Sequence, residues 1–130
     1  MDVAELTEHF ALPGVLAFHQ TPGGLVYAAV TTPHASATIY LQGAHLALWQ
    51  PAGQRPVLFL SRKSDFQRGK RIRGGVPIAF PWFAGRHDGK TGPSHGVARS
   101  QEGTLAFAAL ACDDLRLTLS LGPTGMSGGL

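Results

Sequence analysis

The chain carries a single cysteine, Cys112, among its 130 residues. One thiol excludes an internal disulfide framework and any multi-cysteine metal centre, and it suits a reducing cytoplasm. Charged residues are sparse at 15%, and only eight of them are acids. No run approaches the roughly 18 consecutive apolar residues of a transmembrane helix, so no membrane partner is expected. The opening MDVAELTEHF is acidic and broken by charge, unlike a signal peptide. Glycine and proline, by contrast, are abundant, at 17 and 9 residues. The remainder is too apolar, at 44% hydrophobic, for a disordered chain. The length suits one domain with its own core.

Asp2 followed three residues later by Glu5 predicts a capping box and a short helix holding Leu6, His9 and Phe10. The helix should end before Pro13-Gly14. From there the pattern is all β. Strands are expected over 15–19, 25–32, 36–42, 44–50, 57–61, 104–111 and 115–121. Thr21-Pro22-Gly23-Gly24, Pro33-His34-Ala35, Pro51-Ala52-Gly53 and Asp113-Asp114 supply the turns. In 44–50, alternation places His45, Ala47 and Trp49 opposite Leu46 and Leu48. In 115–121 it places four leucines on one face and Arg116, Thr118 and Ser120 on the other. Short strands at this spacing indicate an antiparallel sandwich or barrel.

Residues 62–96 break this rhythm. They are too long for an ordinary loop, yet Val76, Ile78, Phe80, Trp82 and Phe83 argue against disorder. The positive charge collects in the same region. Ten of the eleven basic residues lie in 55–99: Arg55, Arg62, Lys63, Arg68, Lys70, Arg71, Arg73, Arg86, Lys90 and Arg99. Asp65 and Asp88 are the only acids there, so the local charge is +8. An anionic ligand follows. A small phosphate needs two or three well-placed donors, and arginine's planar fork suits its oxygens. Nucleic acid is disfavoured, because the interleaved exposed aromatics of single-strand binders and a recognition-helix signal are both missing.

The run Lys70-Arg71-Ile72-Arg73-Gly74-Gly75-Val76-Pro77-Ile78-Ala79-Phe80-Pro81-Trp82-Phe83 is stiff, apolar and glycine-flanked, as a preformed pocket wall requires. An aromatic such as Trp82 could pack on the C–H face of a sugar. This run, followed by Ser94-His95-Gly96-Val97-Ala98-Arg99, resembles the hexose-6-phosphate mutarotases. These are the glucose-6-phosphate 1-epimerases, a branch of the aldose 1-epimerase family. The upstream GAHLALWQPAGQRPVLFLS (43–61) is similar to the early strands of that family, and the resemblance covers about residues 25–125.

The resemblance implies the N-terminal portion of a galactose mutarotase-like antiparallel β-sandwich, preceded by a short N-terminal helix. Residues 1–14 would be the helix and its lead-in, and 15–130 the first part of the sandwich, truncated. The glycine-rich end, 122–130, would then be a connection cut short. The implied reaction interconverts the α and β anomers of a hexose 6-phosphate without cofactor or metal. An acid and a base open the ring and close it on the other face. By the same resemblance Arg73 and Arg99 bind the phosphate, and Ser94 and His95 contact the sugar. The other histidines, His9, His19, His34, His45 and His87, are read as structural. Gly103 stands where the family usually has an aromatic, which would loosen the packing beneath the site. The family's catalytic histidine and glutamate lie later in the chain, but here no histidine follows His95 and no glutamate follows Glu102. The isolated chain is therefore expected to be inactive. The alternative is a module that binds phosphosugars without turnover.

Overall fold

The computed structural model describes residues 1–61, 64–80, 82–86, 89–90 and 92–122. The calls on Arg62, Lys63, Pro81, His87, Asp88 and the segment beyond 122 lie outside the described residues. The helix α1 (Val3–Phe10) forms as expected, with the Asp2 carboxylate accepting from the Glu5 N–H at 2.9 Å. That bond satisfies one of the helix's orphan amides. Leu6 points inward from its buried face.

Four strands follow in meander order: β1 (Leu16–Gln20), β2 (Val26–Thr31), β3 (Ala35–Tyr40) and β4 (His45–Pro51), all antiparallel. A second, two-stranded sheet holds β5 (Gly103–Ala111) and β6 (Asp114–Leu121). One face of the four-stranded sheet, with Leu16, Phe18, Val26 and Ala28, packs on Leu6 and Leu105. Leu115, Leu117 and Leu119 of β6 complete that core. The opposite face presents Tyr40 and Ala47 to Leu25 and Ile72, with Leu60 and Phe66 beside them. The sheet is thus covered on one side by helix and hairpin, and on the other by the irregular basic segment. No helix among the described residues is long and apolar enough to cross a membrane.

Three expectations need correction. First, 57–61 is not a strand. Leu60 forms one isolated bridge with Gly74, and Phe59 is 77% exposed. Its partner segment contains Gly74 and Gly75 at φ 115° and 66°, and such backbone cannot continue a ladder. Second, the alternation of 44–50 reverses midway. His45 pairs with Tyr40, but a β-bulge between Thr38 and Ile39 then sets Trp49 opposite Ala37. Trp49 therefore faces the same side as Leu46 and not the side of His45. Third, the β5–β6 turn is Cys112-Asp113, and Asp114 already opens β6. Both turn residues have positive φ, 50° and 67°, as a two-residue hairpin turn of the primed type requires.

Gly103 does not loosen anything. Its N–H donates to the Leu41 carbonyl at 2.7 Å, and a Cβ there would sit 2.7 Å from that same oxygen. The hairpin reaches the sheet because this position has no side chain. Gly103→Ala should destabilise the protein by about 1–3 kcal/mol through overpacking against backbone. Urea unfolding would show this as a lower midpoint with an unchanged slope. An unchanged midpoint would mean that the contact yields freely.

Candidate functional site

The basic segment is anchored by the short turn between β3 and β4. Among the described residues, the buried polar side chains of the core are Gln42 and His45, 5% and 1% exposed. Both spend their polar atoms on this segment. Gln42 donates from Nε2 to the Lys70 carbonyl at 2.8 Å and accepts the Gly69 N–H at 2.9 Å. His45 bonds through Nε2 to the Gly74 carbonyl at 2.5 Å. A carbonyl only accepts, so this nitrogen carries the imidazole proton. The two clamps bracket Arg71-Ile72-Arg73. Ile72 is buried in the core between them, while Arg71 and Arg73 are exposed.

The far side of the bracket is equally fixed. The Arg73 carbonyl accepts from the Ser61 N–H at 2.8 Å, and its own N–H donates to Ser64 Oγ at 3.0 Å. Val76 N–H donates to the Leu46 carbonyl at 2.8 Å. Gly75 has φ 66°, and a Cβ on it would run into the Leu46 carbonyl and lie 3.1 Å from His45 Nε2. Glycine is needed here on both counts.

Arg99 arrives from the other direction, within a single 3-10 turn, Ala98–Ser100. Gly43, at φ 72°, leaves room for it: a Cβ on Gly43 would lie 2.8 Å from Arg99 Cα. Arg71, Ile72, Arg73, Gly74, Pro77 and Arg99 line one cleft of about 250 Å³. No carboxylate is among these lining residues. Burial, and then the charge of Arg71, pull the Arg99 guanidinium below its usual pKa. It remains a cation at neutral pH. Such a cleft suits a small, doubly charged oxyanion, which can accept from several guanidinium forks at once.

Ser94 and His95 do not line this cleft. They are tied to it by Arg99, whose Nη2 donates to the Ser94 carbonyl at 2.8 Å. His95 sits at φ 63°. Its N–H donates to the Ala84 carbonyl at 2.8 Å, and its Nδ1 accepts the Ala84 N–H at 2.9 Å. The Phe83 ring lies 4.7 Å away. Because Nδ1 is an acceptor, the neutral ring carries its proton on Nε2 and can offer a hydrogen bond from there. Trp82 is already engaged. Its Nε1 donates to the Pro93 carbonyl at 2.9 Å, and the Arg86 guanidinium lies 4.6 Å from the centre of its ring. This is a cation–π contact, and with the Pro93 bond it ties Trp82 to both Arg86 and Pro93. Among the described residues no cluster of three or more His, Cys, Asp or Glu side chains could hold a metal.

The aldose 1-epimerase family model matches residues 28–126. The chain belongs to the aldose 1-epimerase family. Over 92 residues it is 44% identical to an Escherichia coli protein described as a "putative glucose-6-phosphate 1-epimerase". That match covers 71% of this chain and 31% of the relative. A Salmonella typhimurium protein of the same description is 48% identical over 71 residues, 55% of this chain and 24% of that protein. The crystal structure of a "putative mutarotase" from Salmonella typhimurium superposes with a TM-score of 0.77 at 38% identity. It is matched over 86% of this chain and 37% of its own length. The chain thus spans about a quarter to a third of these curated relatives. The fold is that of the mutarotases.

The sequence does not single out Gln42, reads His45 only as structural, and offers Arg71 only as one of the clustered basic residues. Gln42 and His45 fall in alternating strand patterns that do not separate a buried clamp from a surface polar residue. Arg71 is hidden among nine other basic residues. His45 yields a pH prediction. Burial holds its pKa below the ordinary 6.5, and the Arg99 charge lowers it further, while the Gly74 hydrogen bond works in the opposite direction. The unfolded chain therefore binds a proton at higher pH than the folded one. The stability from neutral His45 is present above about pH 6.5 and is lost as pH falls through its lower folded value. His45→Leu should cost about 1–3 kcal/mol at pH 7.5, by leaving the Gly74 carbonyl unsatisfied. The gap between wild type and variant should narrow from pH 7.5 to pH 5 in denaturant titrations. A constant gap would contradict the neutral, proton-donating clamp.

Proposed function

We propose that this chain carries the phosphosugar-binding part of a cytoplasmic hexose-6-phosphate 1-epimerase, with glucose 6-phosphate as the typical substrate. The reaction interconverts α and β anomers by acid/base ring opening and closure. One observation carries the reading: Arg73 and Arg99, far apart in sequence, line a single cleft that has no carboxylate among its described lining residues. The description of the relatives as glucose-6-phosphate 1-epimerases supports the same substrate.

In this reading the two guanidinium forks hold the 6-phosphate. The sugar extends toward Ser94 and His95, the pair that the Arg99–Ser94 bond keeps beside the cleft. His95 then donates from Nε2 to a ring hydroxyl. It is a binding group, because its Nδ1 is already occupied by the Ala84 N–H. No residue of this chain is assigned to proton transfer. Anchoring the phosphate fixes the sugar's position, so that an acid and a base elsewhere can act on a ring of known orientation. A phosphosugar-binding module without turnover is the second reading, and it shares the same cleft.

Calorimetric titration should show glucose 6-phosphate binding and glucose not binding. Arg73→Ala and Arg99→Ala should each weaken the phosphosugar by about 10- to 100-fold, the worth of a charge-assisted hydrogen bond. Equal binding of glucose and glucose 6-phosphate would defeat the reading. Anomer exchange followed by NMR should not be accelerated by these 130 residues. Acceleration that His95→Ala abolishes would instead make His95 a catalytic residue.

A further inference from the structure

The cleft holds one cation more than phosphate anchoring by Arg73 and Arg99 requires. Arg71 lines it as well. Ile72 is the pivot: its side chain is 5% exposed in the core, and its two neighbours are exposed on the cleft side. Lys70, next along the chain, is neutralised by Asp65 at 3.6 Å. Among the described residues Arg71 has no such carboxylate partner. Its charge is felt at Arg99, whose pKa it lowers. Three like charges around about 250 Å³ repel one another when the cleft is empty, and an anion relieves that repulsion.

We propose that Arg71 is a specificity residue: it makes the cleft select dianionic phosphate monoesters over singly charged anions of the same shape. The inference rests on the reading that Arg73 and Arg99 hold the phosphate. A phosphate monoester and a sulfate monoester both present three terminal oxygens, so their hydrogen-bonding shapes are nearly alike. Their charges differ. The phosphate monoester is close to −2 at neutral pH, with a second pKa of about 6. The sulfate monoester is −1. Coulomb attraction scales with ligand charge, so each added cation favours the dianion about twice as strongly. Two arginines suffice to recognise the oxygens, and the third turns recognition of shape into recognition of charge.

Glucose 6-phosphate and glucose 6-sulfate titrated into wild type, Arg71→Ala and Arg71→Lys at pH 7.5 decide this. Arg71 is exposed, so its interaction is discounted to the range of solvent-screened pairs. Arg71→Ala should weaken the phosphate ester about fivefold and the sulfate ester about twofold, narrowing the preference. Arg71→Lys keeps the charge and should keep most of the preference. Equal weakening of both esters, or no change in either, would overturn the proposal. If Arg73→Ala and Arg99→Ala also leave binding untouched, the fault lies with the cleft itself. If those two weaken binding and Arg71→Ala does not, only the role of Arg71 fails. In phosphate-free buffer Arg71→Ala should melt no lower than wild type, since it removes a repulsive charge. A lower melting point would assign Arg71 a structural contact instead.

Discussion

The arrangement depends on two buried polar side chains at one turn. Gln42 and His45 flank Gly43, and between them they tie down Gly69, Lys70 and Gly74. Buried amide and imidazole groups are costly unless hydrogen-bonded. Here the bonds that satisfy them also immobilise a segment with no regular secondary structure of its own. Gly43, in the middle of the same turn, leaves the space into which the Arg99 backbone packs. One turn therefore sets the positions of Arg71, Arg73 and Arg99. The meander places that turn at the end of a sheet whose two faces are already packed.

This construction explains why a long irregular segment can form a precise anion site. Ordering loop backbone costs about 1–2 kcal/mol of entropy per residue, and a loop held only at its ends would remain mobile. The clamps, the Ser61 and Ser64 bonds to Arg73 and the Val76–Leu46 bond distribute the restraint along the segment. Cations held in place before the ligand arrives lose less freedom on binding. The cleft is thus ready for an anion, at the expense of mutual repulsion among its arginines.

Much of this was legible in the sequence. The N-terminal cap, the strands of both sheets and the leucine face of β6 follow from capping chemistry and period-2 patterning. The clustering of positive charge pointed to an anion, and the run through Arg73 to Arg99 pointed to the family. What escaped had physical causes. An apolar run such as 57–61 looks like a strand, yet its partner's glycines stop the ladder. A bulge at Ala47 within β4 reverses the side on which Trp49 lies, and composition gives no sign of it. Gly103 looked like a lost side chain and is instead a point of close backbone approach. Trp82 looked available to a sugar but is occupied by Arg86 and Pro93. His45 looked structural, which it is, and its structural bond is what fixes the arginine segment.

The central claim is that Arg73 and Arg99 together hold a phosphate in one prearranged cleft. The most direct test follows the arginine Nε–Hε resonances by NMR during titration with inorganic phosphate. The account predicts that Arg73 and Arg99 shift together along one saturable isotherm, while Arg116, on the distant β6 strand, stays still. Shifts spread evenly over all the arginines without saturation, or none at Arg73 and Arg99, would contradict it.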